Sequence, residues 1–202
     1  IKLPVCILNI GGISNVTIVK DFNDPTELSS KDIGPGNCLI DTWVRKNSKK
    51  KFDIDGSLAS QGVVNEIILE QGHELYLNSS GKGKPSLDVN DFDVSFARGL
   101  TLEDGASTLT DFTAKIISSE LIEINNLTKN KINKILICGG GRKNKTMVQK
   151  IKNYMSKDLN IELIDNYGID GDFVESQAFA YIAIRSVLKL PITFPKTTGC
   201  DR

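Results

Sequence analysis

Ile135-Leu136-Ile137-Cys138-Gly139-Gly140-Gly141-Arg142-Lys143-Asn144 is an apolar run that empties into three consecutive glycines and then into a helical pattern. The run predicts a buried strand over Lys134 to Cys138, and Asn144 stands where a cap would open a helix from Lys145 to Met155. Nucleotides settle at the carboxyl ends of such strands, where glycine lets a base or a phosphate approach the backbone. The stretch is neither a G-x-G-x-x-G nor a Walker A motif, and capping alone does not call for three glycines. A second strand, Ile161 to Ile164, and a second helix, Phe173 to Leu188, follow it, so this part of the chain reads as layered α/β. Leu190-Pro191 ends the last helix, and the tail through Thr197-Thr198-Gly199 reads as extended or looped.

Two more glycine sites lie upstream. Val5 to Ile10 and Asn15 to Val19 are β-type runs that flank Gly11-Gly12-Ile13-Ser14, which predicts a hairpin with a glycine tip. Backbone N–H groups at Gly11 and Gly12 can approach an anion, and Ser14 and Asn15 add side-chain donors, so the tip can cradle a terminal phosphate; an ordinary hairpin turn uses the same glycines. Asp32-Ile33-Gly34-Pro35-Gly36-Asn37 reads as a tight loop before a helix whose apolar positions are Leu39, Ile40, Trp43 and Val44. Gly34 and Gly36 expose backbone there, next to a helix N-terminus that favours negative charge. Asp32 is a candidate to hold a hydrated magnesium ion or to orient a water, and equally to stabilise the turn, as Asn37 is to cap the helix. Glu175, in the first turn of the last long helix beside Ser176 and Gln177, is placed either to reach a sugar hydroxyl or simply to complement the helix dipole.

The remaining stretches read as scaffold. From Glu103 to about Ile124, Ala106, Leu109, Phe112, Thr113, Ile116, Ile117 and Leu121 form one apolar stripe of a core helix. Residues 62 to 77 have a helical pattern, Asn78 to Ser86 is a polar, glycine-rich surface loop, and Arg45 to Lys51 reads as a solvated helix end. His73, the one histidine, receives no role.

Composition narrows the functional classes. The 202 residues are 40% apolar, enough for one substantial core and one domain. Lys+Arg and Asp+Glu each number 25, leaving no overall field to hold a nucleic acid or an anionic membrane. Cys6, Cys38, Cys138 and Cys200 are scattered, with no Cys-x-x-Cys pair, and read as reduced thiols of a cytoplasmic protein. No apolar run approaches the ~20 residues that span a bilayer, and no secretory signal pattern opens the sequence. The first residue is Ile1, with a strand-like run close behind it, and this predicts further sequence upstream, whether trimmed, omitted or encoded separately.

Taken in order, the three glycine sites resemble the second domain of the sugar kinase, actin and heat-shock ATPase superfamily, with a phosphate hairpin early (near 8–19) and an adenosine loop late (near 135–145). Leu8 to Asn15, Gly34-Pro35-Gly36-Asn37, Asp104-Gly105-Ala106, Thr108-Leu109-Thr110, Cys138 to Gly141, and Val174-Glu175 with Ala178-Phe179-Ala180 are similar to the anhydro-N-acetylmuramic acid kinase family from about Ile7 to Gly199. That resemblance implies an actin-like (ribonuclease H-like) α/β fold, a mixed sheet flanked by helices, with residues 1–202 as the second half of a two-domain kinase. It implies ATP and Mg2+ as cofactors, and phosphorylation of 1,6-anhydro-N-acetylmuramic acid at O6 while water opens the anhydro ring, for cell-wall sugar recycling. Gly11, Gly12, Ser14 and Asn15 would face the phosphates, Gly139, Gly140 and Gly141 with Asn144 would border the adenosine, and Glu175 would help hold the sugar. The family's first phosphate loop and catalytic aspartate precede the matched segment, so this chain is expected to hold no catalytic base, to be inactive alone, and to need an N-terminal kinase domain as partner. Asn9 replaces the aspartate of many actin-like kinases, and Lys84-Pro85-Ser86 departs from the family's usual proline-lysine-serine order. Competing readings are a non-catalytic binding or homodimerisation module, and a kinase for another anhydro sugar such as levoglucosan.

Overall fold

Alternation of apolar and polar side chains along the first strands decides how the chain is layered. In β1 (Val5–Ile10), Cys6, Leu8 and Ile10 are buried on one face, and Ile7 and Asn9 point to the other. A computed structural model of the protein, describing residues 1–78, 86–128 and 131–200, carries this strand into the centre of a five-stranded sheet. The other strands are β2 (Ile13–Val19), β3 (Leu28–Pro35), β4 (Lys134–Cys138) and β5 (Asn160–Leu163), in the order β3-β2-β1-β4-β5. β1 and β2 form the expected hairpin and β3 adds antiparallel, whereas β1, β4 and β5 run parallel, so the sheet is mixed.

Helices cover the apolar face. Among the described residues five do so, α1 (Cys38–Asn47), α2 (Ser57–Gln61), α3 (Glu66–Leu77), α4 (Leu102–Leu127) and α5 (Lys145–Tyr154), whereas α6 (Val174–Val187) and the short α7 (Pro195–Thr198) bury no residue. α4 is the spine of the core: Ala106, Leu109, Phe112, Ile116, Ile117 and Leu121 are all buried with Leu8, Ile10 and Ile137 of the sheet. Thr101 opens it by accepting the Asp104 N–H. Trp43 of α1 lies flat against Gly105, where a Cβ would overlap the indole, and its Nε1–H donates to the Leu102 carbonyl at 3.0 Å. No helix among the described residues is long and apolar enough to cross a membrane, and the four cysteines are free.

Several boundaries differ from the sequence reading. Asp32 to Pro35 is not loop but the end of edge strand β3, and only Gly36 and Asn37 turn into α1. The segment Leu28-Ser29-Ser30-Lys31-Asp32 is largely polar because an edge strand has one neighbour only, and it therefore lacks the alternating apolar signal. The pattern at 62–77 yields α3 only from Glu66, since Asn65 caps it by accepting the Ile68 N–H at 3.1 Å. The strand expected at Ile161 to Ile164 runs over Asn160–Leu163, and the tail expected as loop contains α7. The loop expected at Asn78 to Ser86 falls mostly on 79–85, outside the described residues.

Replacing Leu109, fully buried at the centre of α4, with alanine leaves a cavity that costs about 3 kcal/mol. Denaturant unfolding followed by the fluorescence of Trp43, the one tryptophan, should show that loss with an unchanged slope.

Candidate functional site

The three glycine turns meet. The hairpin tip accepts three backbone hydrogen bonds from the turn into α1: Gly36 N–H to the Gly12 carbonyl (2.9 Å), Asn37 N–H to Gly11 (2.8 Å) and Cys38 N–H to Gly12 (3.2 Å). A Cβ at Gly36 would overlap the Gly11 carbonyl oxygen, so that approach requires glycine. The third turn arrives beside β1, because Asn9 pairs with Cys138 across the parallel ladder. Gly139 has φ +78°, and a Cβ there would strike the Asn9 side chain and the Ile10 carbonyl; one at Gly141 would strike the Ile10 side chain. Gly139 N–H also donates to the Gly171 carbonyl at 3.3 Å, which brings in the segment leading to α6.

Between the first and third turns is a cleft of about 410 Å³ at the carboxyl ends of the parallel strands β1 and β4, and the turn at Gly36 and Asn37 does not line it. Gly11, Asn9, Asn15 and Thr17 line it from the hairpin, Cys138, Gly139 and Gly140 from the third turn, and Gly171, Asp172, Val174, Glu175 and Ala178 from the opposite side. Asn9 and Asn15 are opposed in the β1–β2 register and so project from the same sheet face. A smaller cavity of about 210 Å³, beside Tyr76, Phe92 and Phe112, shares none of these residues.

An arginine fixes the third turn. Arg142 is buried; its Nε and Nη2 donate to the two carboxylate oxygens of Asp165 (2.8 and 3.0 Å), and its Nη1 donates to Asp172 (2.6 Å) and to the Gly139 carbonyl (3.1 Å). Asp170 lies 3.5 Å from Nη2. The hydrogen bonds from Arg142 hold Asp165 down at about 2, and those from Arg142 and Lys143 hold Asp172 below the usual carboxylate range. Asp172 is therefore a poor proton acceptor within the cleft. The Cys138 thiol is pushed up to about 11 by burial and is no nucleophile at neutral pH.

Not every residue expected from sequence faces the cleft. Ser14 is fully buried on the core face of β2, and its hydroxyl donates to the Pro35 carbonyl at 3.0 Å. Asn144 is also buried, and its Oδ1 accepts the Met147 N–H at 2.9 Å, so it caps α5. Gly34 packs within β3, where a Cβ would lie 2.6 Å from Ile116 Cγ2. Asn37 makes no side-chain cap, and its amide instead approaches Gly140. Asp32 shares a ladder rung with Asn15, but its Oδ2 accepts the Leu87 N–H at 2.8 Å and it does not line the cleft. Among the described residues no group of three or more His, Cys, Asp or Glu side chains is placed to hold a metal. Thr17, Gly171 and Asp172 were missed by sequence reasoning; the period-two alternation of the hairpin would have found the first, whereas the others reach the cleft through tertiary contacts of Arg142 and Gly139.

A mixed sheet in the order 3-2-1-4-5 with glycine turns at its carboxyl ends defines an actin-like ATPase fold. The activator of the 2-hydroxyisocaproyl-CoA dehydratase from Clostridium difficile, solved with bound ADPNP, superposes with a TM-score of 0.52 over 95% of this chain and 65% of that one, at 15% identity. The sequence profile of the anhydro-N-acetylmuramic acid kinases matches residues 2–202, and the chain belongs to that family. It is 49% identical over 202 residues to the anhydro-N-acetylmuramic acid kinase of Pelagibacter ubique (strain HTCC1062), covering 100% of this chain and 54% of the relative. It is 38% identical over 197 residues to that of Zymomonas mobilis subsp. mobilis (strain ATCC 31821 / ZM4 / CP4), covering 97% and 51%. The chain thus spans about half the length of the curated relatives it matches, namely their C-terminal half.

The Arg142 cluster generates a pH signature. Asp165 titrates below its ordinary 3.8 when folded, so its contribution is present above about pH 4 and is lost as pH falls towards about 2. Arg142→Met should lower stability by about 2 kcal/mol at pH 7, the upper value for a buried pair being discounted for the half-exposed partners. It should also flatten the fall in thermal midpoint between pH 4 and 2, measured by calorimetry.

Proposed function

We propose that this chain forms the nucleotide-holding wall of an ATP-dependent kinase for 1,6-anhydro-N-acetylmuramic acid, acting in the cytoplasm. The observation that carries the reading is that two separate glycine turns, at Gly11 and at Gly139-Gly140, line one cleft with Glu175, while the third, at Gly36, is bonded to the first from behind. Phosphoryl transfer needs positioning and charge stabilisation more than covalent chemistry from the protein, and backbone N–H groups held by tight turns supply both. Gly11 and Gly12 with Asn15 would face the phosphates, and the turn at Gly36 and Asn37, whose N–H groups are bonded to the tip's carbonyls, would brace them. Gly139 and Gly140 would admit the adenosine, with Arg142 fixing the turn behind them. Glu175, exposed at the far rim, would hold a sugar hydroxyl. Magnesium would be carried on the ATP phosphates themselves, with water completing its shell.

In the reaction, water attacks C1 of the anhydro sugar, the C1–O6 bond breaks, and O6 takes the γ-phosphoryl group to give N-acetylmuramic acid 6-phosphate and ADP. A general base must remove a proton from that water. Asp172 is held ionised by Arg142 and Lys143, and Glu175 is assigned to the sugar, so the base is expected on the N-terminal half that the relatives carry. Without it the loss is about 10²–10⁴-fold from the base alone.

The test combines binding and turnover. Calorimetry should show weak ATP binding by this chain, reduced at least about tenfold by Gly139→Ala, which cannot keep φ +78° without strain and overlaps Asn9. Sugar phosphate should form from ATP, magnesium and the anhydro-muramic sugar only when the N-terminal half of the Pelagibacter relative is added. Turnover by this chain alone contradicts the placement of the base, and faster phosphorylation of levoglucosan contradicts the substrate. Absence of both nucleotide binding and reconstituted turnover overturns the reading.

A further inference from the structure

The cleft is lined by different chemistry on its two sides. Asn9, Asn15, Thr17 and Gly11 present neutral amide, hydroxyl and backbone groups from the hairpin, whereas Asp172 and Glu175 present carboxylates from the segment that enters α6. A nucleoside triphosphate is two-ended in the same sense. Its phosphates are anionic acceptors, which an ionised carboxylate repels, and its ribose carries two neutral hydroxyls, which a carboxylate accepts. The charge on the lining therefore turns the phosphates toward the hairpin and the ribose toward the carboxylates. Arg142 and Lys143 do not line the cleft and are engaged behind it by Asp165 and Asp172.

We propose that Asp172 is the ribose acceptor of this site, its two carboxylate oxygens taking the 2′- and 3′-hydroxyls and so selecting ribonucleoside over deoxyribonucleoside triphosphates. Position selects Asp172 over Glu175. The carbonyl of its neighbour Gly171 accepts the Gly139 N–H at 3.3 Å, and Arg142 Nη1 donates both to the Gly139 carbonyl at 3.1 Å and to Asp172 Oδ1 at 2.6 Å, so this carboxylate stands beside the turn read as bordering the adenosine. Glu175 lies further on, inside α6. The protein itself fixes the carboxylate: Oδ2 accepts from Lys143 Nζ at 2.5 Å, and the Asp172 N–H donates to Asp170 Oδ1 at 2.9 Å. One hydrogen bond to each oxygen leaves each a second lone pair, and the side chain is 42% exposed. Held ionised below the usual carboxylate range by those donors, it accepts a hydrogen bond from a hydroxyl without taking the proton. The assignment rests on the kinase reading above, and it adds which part of the nucleotide the carboxylate side recognises.

Titrations of the 202-residue chain with ATP and with 2′,3′-dideoxyATP, followed by the NMR shifts of the Gly139 and Gly140 amides, test it. The dideoxy nucleotide lacks both hydroxyl donors to a charged acceptor and should bind at least about tenfold more weakly. Asp172→Ala should bring ATP down to the dideoxy affinity, leaving the two within about twofold of each other. Arg142 keeps Asp165 and the Gly139 carbonyl in that variant. Asp165→Asn loosens Arg142 and leaves Asp172 its charge, so it should weaken both nucleotides in step and preserve their ratio. A ratio lost equally in Asp165→Asn overturns the inference, since Asp172 would then act only as an anchor for Arg142. Equal binding of the two nucleotides by the unaltered chain also overturns it, whatever the variants do, and leaves the kinase reading standing. If neither nucleotide moves the two amides, the kinase reading falls and the ribose assignment falls with it.

Discussion

Everything near the cleft depends on the backbone collar that ties the Gly11-Gly12 tip to the turn at Gly36 and Asn37. Three N–H to carbonyl bonds close it, and the two chains approach so closely that neither Gly36 nor Gly139, on the other side of Asn9 and Ile10, accepts a side chain. Carbonyl groups of the tip are used inwards, to hold the turn. The Gly11 N–H is also used within the tip, donating to the Ile13 carbonyl at 3.1 Å, so the Gly12 N–H and the Asn9–Asn15 pair are left to meet a ligand. The accessible backbone of the tip thus follows from a packing constraint, since the glycines that allow the close approach are the same ones that leave backbone open.

The sheet separates scaffold from chemistry by face. Cys6, Leu8 and Ile10 are sealed beneath α4, while Asn9, Asn15 and Thr17, one residue out of phase, stand on the opposite side. The side of the cleft at Gly139 is held differently, by charge. Arg142 joins the third turn to Asp165 and Asp172 across more than twenty residues of chain, and with Gly139 N–H to Gly171 it sets the distance between the glycine turn and the foot of α6. One wall is therefore rigid through backbone hydrogen bonds and the other through a buried guanidinium.

Strands β1, β2 and β4 and helices α1, α4, α5 and α6 were legible in the sequence because each is apolar with the period of its structure. β3 was not, since an edge strand of serine, lysine and aspartate carries no such period. Among site residues, glycines were easier to read than polar side chains. Gly11, Gly139 and Gly140 line the cleft, whereas Ser14 and Asn144 are turned inwards to hold Pro35 and Met147. One residue of register decides whether a serine meets a ligand or a neighbouring strand, and local sequence does not report it. Asp172 entered the cleft only through Arg142, a contact between residues far apart in sequence.

The central claim is that three turns distant in sequence serve one nucleotide. An NMR titration of the 22.1 kDa chain with a non-hydrolysable ATP analogue addresses it directly. The account requires the amides of Gly11, Gly12, Gly36, Gly139 and Gly140 to shift together with a single affinity. Shifts confined to one turn, or clustered away from the cleft, would contradict it.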